Sequence, residues 1–581
     1  MVEQKTSFKE TIKKRILITI LISILFPLMV CVAIPFEIYG ANLNEFKFTL
    51  SSFMPVCLLI ALFLTVIIFF ALLFLPKLVY RIACGFIIAL SLMFFIQGTY
   101  LNGNLNSLAG DNIAIATAPA ATLLVNLLIW MCVLSGGIVL AILSNKKSII
   151  STIGVVVAIV VCTTQLISPL AVAITKREVF MSKTEKLQSK GIGEVHEIVT
   201  NKNLTTISKN KNVFYFCIDR LDEMWAESAE EKYPEIYSEL EGFTWFQDNV
   251  SIYGHTYPAT ANMITGNDLD SSKLREEFLN SVYDTNKTIS VLAENGYDVN
   301  LYTDEYYTFT DASVLPDYVS NAAKSEKVVV KKSFKLSLKM IKMALYRTFP
   351  LLFKNALGNM DSGSCNSHVQ EYDSNGNKQY SSDNRDVFDL VSTASFTSQD
   401  KNMFSYIYLQ GCHDIKYDDN WNTGTENKTW ETSVSNSFKI VDKFLKAMKS
   451  AGVYDDATII ITGDHSQPFN DLKEVNESRL TALFVKPSGV GDGELQKSKA
   501  QTSHDNIWAT IMKSENIVCD EGLGKSVFEI DENENQTRRF IWHTYISPLD
   551  EYVYEIKGLA RDFENWKLVE HNHFENRKIY D

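Results

Sequence analysis

Four short stretches of this chain put reactive side chains where a sheet would gather them. "NVFYFCID" runs apolar from Asn212 and ends in Asp219. "ATIIITGDH" ends in Asp464 and His465, and "MFSYIYLQGCHD" leads into His413. Continuous apolar runs of this length read as strands covered on both faces. The fourth stretch, "HTYPATANMITG" (His255–Gly266), reads as a short helix closed by glycine. If Pro258 is its first residue, Thr256 lies at or just before the N-cap. The free N–H groups and positive end of that helix would face whatever Thr256 touches, a natural place for an anion such as phosphate.

Two carboxylates, an imidazole and a hydroxyl make a divalent metal site of mixed oxygen and nitrogen character. Asp219, Asp464 and a histidine are the candidate ligands, with the Thr256 hydroxyl a further candidate and one ion expected. Zn²⁺ and Mn²⁺ suit such ligands best, and Mg²⁺ also fits. A threonine hydroxyl is a poor nucleophile until coordination or a base activates it. His413, and His504 from "SHDNIWATI", are candidates to donate to a phosphate oxygen or protonate a leaving group. His255 is a weaker candidate, because a sequence neighbour often points away. Taken singly, an Asp after a strand is usually a turn residue or cap, and a Thr before a helix an ordinary N-cap. Three such strand ends together with the Thr-Pro helix start argue for a site.

The elements that must position these residues alternate. "LDEMWAESAEEKYPEIYSEL" is helical. "TISVLAENGYDVNLYTDE" reads helix, Gly stop, strand. In "SNSFKIVDKFLKAMKSAGVYDDATIIITGDH", Phe438, Val441, Phe444, Leu445 and Met448 form one helix face before the strand Ala457–Thr462. "RLTALFVKP" is another strand. The pattern predicts an α/β domain with a mainly parallel sheet covered by helices, whose ligands bind beyond the carboxyl ends of the strands. The aromatic tail "YVYEIKGLARDFENWKLVE" predicts a hairpin in a smaller β-rich subdomain.

The first third is different. Five stretches, Ile16–Ile38, Phe53–Leu75, Leu78–Ile96, Thr122–Leu143 and Ile149–Ile174, approach the ~20 apolar residues that cross a bilayer. Lys and Arg cluster in the N-terminal tail, at Lys77 with Arg81, and at Lys146 with Lys147, while the alternate connections carry Lys47 alone or no basic residue. This bias predicts a multi-pass plasma-membrane protein with its N-terminus cytoplasmic and everything after Ile174 outside. The expected divisions are a five-helix transmembrane domain (1–175), a linker (176–210), a catalytic domain (211–530) and a C-terminal subdomain (531–581). Within the third, Lys331–Lys354 carries Phe334, Leu338, Ile341 and Leu345 on one stripe and Lys335, Lys339 and Lys342 on another. It suits a membrane interface or a packed helix with a solvated Lys face. The Gly/Ser/Asn-rich segment after it reads as a loop. A net charge of −13 gives no hint of nucleic-acid binding. Of nine cysteines, five lie in the spans, and the rest show no CxxC spacing.

These residues resemble the alkaline phosphatase superfamily, and more narrowly its sulfatase-like branch, which includes membrane-bound lipoteichoic acid synthases and phosphoethanolamine transferases. "NVFYFCID" looks like the family's first strand with its metal-binding acid. "TGDHS" is similar to its Asp-His metal pair, and "QGCHD" to its substrate-contacting His; the resemblance thus implies Asp219, Thr256, Asp464 and His465 as the metal ligands. "TYPATANMITG" has the shape of the sulfatase signature C/S-x-P-x-R-x-x-L-x-T-G. Sulfatases need Cys or Ser at the nucleophile position, for oxidation to formylglycine, and Arg two residues after the Pro. Here Thr256 and Thr260 stand there, which disfavours sulfate-ester hydrolysis by the usual route. Threonine is the nucleophile in phosphoglycerol and phosphoethanolamine transferases. The resemblance therefore implies a membrane-anchored, metal-dependent transferase moving a phospho-head-group from a phospholipid donor to a cell-surface glycan or lipid through a phosphothreonine intermediate. The rival expectations are a hydrolase of phosphodiester, phosphonate or sulfate esters at the same site, and a degenerate binding domain. Lipoteichoic acid synthases have Glu where this chain has Asp219, and their nucleophile segment lacks the Pro-x-Thr form.

Overall fold

The computed structural model describes residues 2–575 except 44, 103–118, most of 144–195, 304–307, 310, 332, 358–361, 425, 468–474, 519–520 and 545–548. The chain divides into two compact units, one of residues 1–195 with 325–371 and one of residues 196–324 with 372–581.

In the first unit, four helices are long and apolar enough to cross a membrane: Arg15–Ala41, Met54–Leu73, Lys77–Leu101 and Ala120–Leu143. The expected count of five is one more than the described residues carry, because Ile149–Ile174 lies largely outside them. Where these helices meet, buried polar groups pair with one another: Gln97 Oε1 accepts from Asn126 Nδ2 at 2.8 Å and from Trp130 Nε1 at 2.9 Å. A polar group in an apolar surround costs several kcal/mol if left unmade, so such residues come in satisfied sets.

The segment Lys331–Lys354, expected within the catalytic domain, belongs to this first unit. Helix Ser333–Thr348 buries Leu336, Met340, Met343 and Ala344 in the core shared with Met29, Phe53 and Trp130. Of the stripe read from sequence, Phe334 and Leu338 are exposed, while Ile341 and Leu345 are half-buried against that core. Met, Ala and a hydrogen-bonded Ser fill the fully buried face; Ser337 Oγ donates to Phe53 O at 2.9 Å. The segment expected as a loop also holds structure. Cys365, in the short helix Ser362–Asn366, is buried against the sulfurs of Met343 and Met340 at 3.5 and 3.8 Å.

The second unit is built on seven strands: β1 (Asn212–Ile218), β2 (Thr244–Val250), β3 (Tyr297–Tyr302), β4 (Asn402–Leu409), β5 (Ala457–Thr462), β6 (Leu483–Lys486) and β7 (Gln496–Ser503). Their order across the sheet is β7-β2-β6-β5-β1-β4-β3. All neighbours are parallel except β6, which is antiparallel to both β5 and β2. The expected mainly parallel sheet is therefore present. All seven residues of β1 are buried. Val213, Tyr215 and Cys217 face one core with helices α2 (Thr256–Thr265) and α5 (Ile507–Ser514). Phe214, Phe216 and Ile218 face the other, with α1 (Glu223–Lys232), α3 (Asn384–Thr393) and α4 (Trp430–Ala451). The five residues read as one face of α4 are all buried there.

The linker reading of 196–210 is corrected. Glu197–Val199 pairs with Ala322–Lys324, and Thr206–Ser208 pairs with Thr397–Gln399, so this stretch is part of the second unit. Residues 176–195 lie outside the described ones. The tail forms an antiparallel sheet of β8 (Thr537–His543), β9 (Leu549–Lys557) and β10 (Trp566–Phe574). It is fastened to β2 by a buried ion pair, Arg538 Nη2 to Asp248 Oδ2 at 2.9 Å, and by the Ala560 N–H on Asp248 Oδ1 at 2.8 Å.

Candidate active site

The register of the sheet brings the reactive residues to one edge. Leu409 on β4 pairs with Ile218 on β1, and Thr462 on β5 pairs with Cys217. Asp219 is thus one residue beyond β1, Asp464 two beyond β5, and both emerge side by side. Ser503 on β7 pairs with Val250 on β2, which carries His504 and the connection to α2 to the same edge. Two glycines allow the loops to approach. A Cβ on Gly463 would meet Leu221 N at 2.8 Å and Leu221 O at 2.9 Å. Gly411 has φ +52°, and a Cβ there would meet Asp219 N and O at 2.8 Å. Helix α2 starts with Thr256 as its first helical residue, after His255 in an extended conformation (φ −142°), and ends on Gly266 at φ +70°. Pro258 is therefore in the first turn but not its first residue. That position still lacks an intrahelical N–H partner, so the ring costs nothing.

One ligand atom each from Asp219, Asp464 and His465 lies within 4.8 Å of the others, and all three residues are buried. His465 Nε2 is 3.8 Å from Asp219 Oδ1 and 3.7 Å from Asp464 Oδ2. Those two carboxylate oxygens are buried and have no hydrogen-bond partner. Their companions are satisfied: Tyr408 Oη donates to Asp219 Oδ2, while Asp464 Oδ1 accepts from Arg220 N (3.0 Å) and His465 N (2.8 Å). His465 Nδ1 sits 2.6 Å from Ser466 O. A proton on Nδ1 makes that hydrogen bond and turns the Nε2 lone pair inward, as a metal ligand requires. Buried carboxylate oxygens are left unpaired at a cost of a few kcal/mol unless something positive meets them. The residues fit a divalent cation on these observations.

Thr256 joins the cluster through its hydroxyl, which is 3.2 Å from His465 Nε2. Burial and the neighbouring Asp464 charge push the Asp219 carboxyl well above its usual range, against the hydrogen bond from Tyr408. Burial lowers His465. Burial also pushes His504 down to about 4, and the structure sets its Nε2 3.4 Å from Thr462 Oγ1. His413 is 39 % exposed, with Nδ1 3.4 Å from Asp414 Oδ2, and its carbonyl accepts from Arg220 Nη1 at 2.7 Å. His255 points elsewhere: its Nε2 lies 2.7 Å from His543 O in the C-terminal sheet, and burial pushes it down to about 3. Asp219, Thr256, Asp464 and His465 are thus brought together, His413 and His504 stand on the same edge, and His255 faces away. Sequence reasoning missed Tyr408 and Arg220. Tyr408 looked like one more strand residue in "MFSYIYLQ"; only its register beside Cys217 reveals it.

Comparison with known proteins bears on this fold and edge. Among solved structures, Ps i-CgsB in complex with k-i-k-neocarrahexaose shares 14% identity over 62% of this chain and 86% of its own, with a TM-score of 0.40. The phosphonate monoester hydrolase SpPMH from Silicibacter pomeroyi shares 12% over 63% of this chain and 89% of its own, with a TM-score of 0.35. The lipoteichoic acid synthase LtaP from Listeria monocytogenes shares 9% over 63% of this chain and 87% of its own, with a TM-score of 0.32. No curated protein matches the chain. The sulfatase family model matches residues 211–515, more than half of the 581 residues and the whole stretch from β1 to α5 that carries the cluster. With that match over that span, the chain belongs to the sulfatase family, an enzyme family of the alkaline phosphatase superfamily.

Proposed function

We propose that this enzyme is a membrane-anchored, metal-dependent transferase that moves a phospho-head-group, phosphoglycerol or phosphoethanolamine, from a phospholipid to a cell-surface glycan or lipid. The observation that carries the reading is the Thr256 hydroxyl at the start of a buried helix, 3.2 Å from His465 Nε2 and beside two unpaired carboxylate oxygens. Asp219, Asp464 and His465, with the Thr256 oxygen, hold one divalent ion, Mn²⁺ or Zn²⁺, with Mg²⁺ also fitting the ligands. Such an ion supplies a lowered pKa at a hydroxyl and offsets charge on phosphoryl oxygens. Thr256 Oγ1 gives its proton to solvent water and forms a bond to the donor's phosphorus. The bond to the lipid's alcohol oxygen breaks, and His413 gives a proton to that oxygen. The head group is left as a phosphodiester on Thr256. An acceptor hydroxyl then attacks the same phosphorus and passes its proton to His413, while the Thr256 Oγ1–phosphorus bond breaks and Thr256 takes a proton back from water. His504, neutral at pH 7, hydrogen-bonds a phosphoryl oxygen rather than acting as an acid. The apolar spans tether the site to the membrane that carries the donor, with the second unit on the extracytoplasmic side.

The family match favours a second reading, hydrolysis at the same site with water as the acceptor. Thr256 cannot become formylglycine, so phosphodiesters and phosphonate esters are the expected substrates before sulfate esters. Purified full-length protein in lipid nanodiscs with labelled phosphatidylglycerol or phosphatidylethanolamine separates the two. Label on an added glycan or lipid acceptor supports transfer, and release of free head group alone supports hydrolysis. Mass spectrometry of the peptide containing Thr256 should show the head-group phosphate attached to it. Turnover with the label on another residue would remove Thr256 from the mechanism.

A further inference from the structure

Arg220 directly follows Asp219, and its backbone lies at φ +57°, a left-handed conformation that residues with a Cβ seldom adopt. Its own N–H is spent on Asp464 Oδ1. Its guanidinium gives one N–H, from Nη1, to the carbonyl of His413. The guanidinium also stands over the ring of Trp430, 5.9 Å from Cζ to the centroid, and Trp430 stacks on Trp225 at 4.2 Å and 6°. Among the described residues no carboxylate lies within ion-pair distance of Arg220, and its Nε is buried without a partner. A guanidinium is always charged and has five N–H donors in a rigid fork. Here the edge formed by Nε and Nη2 makes no hydrogen bond within the protein. That edge is the geometry that takes two oxygens of a phosphate side by side.

A second observation points the same way. Helix α2, which carries Thr256, has no charged side chain, and the Thr260 hydroxyl is spent on Thr256 O at 2.8 Å. The helix that offers the nucleophile therefore brings no cation for the charge on a phosphate ester. Tying down the His413 loop needs only one N–H of Arg220. It explains neither the unpartnered edge nor the aromatic platform that braces the guanidinium plane.

We propose that Arg220 is the anion-binding side chain of this site, its Nε–Nη2 edge receiving two non-bridging oxygens of the phosphate ester that Thr256 attacks. The proposal rests on the phosphate reading of the site given above. It is tested by binding rather than turnover, so that the two can fail separately. Full-length protein in nanodiscs with saturating Mn²⁺ is titrated calorimetrically with inorganic phosphate, alongside Mn²⁺ affinity and melting temperature. Arg220→Gln should weaken phosphate binding at least about tenfold while Mn²⁺ affinity stays within about threefold, and Arg220→Lys should lie between, keeping the charge without the fork. Arg220→Gly removes the side chain and also relieves the left-handed backbone, so it provides a folded protein even if the Gln variant is unstable. It should lose phosphate binding to the same extent. Phosphate affinity within twofold of the parent in a folded Arg220→Gln or Arg220→Gly variant, equal loss of phosphate and Mn²⁺ affinity, or no phosphate binding by the parent would overturn the proposal. Arg220-dependent phosphate binding in a protein whose Thr256 never carries a head group would uphold this site and remove the phosphothreonine reading.

Discussion

Thr256 and Tyr408 show how much single side chains decide here. Thr256 has its hydroxyl on the cluster and the rest of its helix in the core, so Thr256→Ala removes one oxygen and little packing. Turnover of a labelled phospholipid should fall at least about a thousandfold with the melting temperature nearly unchanged, as for loss of a nucleophile. Thr256→Ser, which keeps the oxygen, should retain measurable turnover. Tyr408 acts through another residue. Its hydroxyl fills one oxygen of Asp219 and leaves Oδ1 bare toward His465. Tyr408→Phe should weaken metal affinity about 10–100-fold, read by titration of the apo protein, because partners of a ligating carboxylate fix its orientation. Unchanged metal affinity would mean that Asp219 is oriented by its backbone alone.

At the scale of elements, the site depends on how closely two loops pass. The turn after β5 runs against Leu221, where a Cβ on Gly463 would meet backbone atoms rather than a yielding side chain. Gly463→Ala should destabilise the second unit by about 1–3 kcal/mol and lower metal occupancy, measured by denaturant unfolding and metal analysis. The C-terminal sheet is expected to respond to pH. Burial would raise the Glu551 carboxyl, but its contact with His543 Nε2 at 2.8 Å and the Ser271 hydroxyl outweigh that and hold it down at about 2. A carboxyl depressed in the folded state stabilises above its unfolded pKa, and that contribution is lost as pH falls through the folded value. The sheet should therefore loosen between about pH 4.5 and 2, by on the order of 2 kcal/mol, and Glu551→Gln should flatten that part of the acid-unfolding curve. An unchanged curve in the variant would place the acid sensitivity elsewhere.

For the whole molecule, the two unpaired carboxylate oxygens predict that folding of the second unit answers to metal. Chelation should lower its melting temperature, and adding Mn²⁺ or Zn²⁺ back should raise it in proportion to the logarithm of concentration, since an ion that binds only the folded state stabilises by mass action. A melting temperature indifferent to chelator and added metal would argue that the cluster binds no ion. Two units of opposite solvent character in one chain also make the side of the membrane testable. Protease added to intact cells should cleave the second unit if the positive-inside bias holds, and should spare it until the membrane is opened if the bias fails.

Composition and periodicity alone determined a great deal: apolar spans followed by an α/β domain, the strand-ending residues Asp219, Asp464 and His465, and the threonine at a helix start. These are local signals. A buried strand must be apolar throughout, a bilayer helix must be long and apolar, and a metal site in such a sheet must use residues just past strand ends. Tertiary structure decided what local pattern leaves open. It chose the fully buried face of helix Ser333–Thr348 and assigned that helix to the first unit. It drew residues 196–210 out of the linker into paired strands, and it turned His255 away from its neighbour Thr256. It also brought Tyr408 and Arg220 to the cluster. The physical reason is the same in each case. Which face of an element is buried, and which side chains meet across it, depends on the partner that packs against it, and that partner lies tens or hundreds of residues away along the chain.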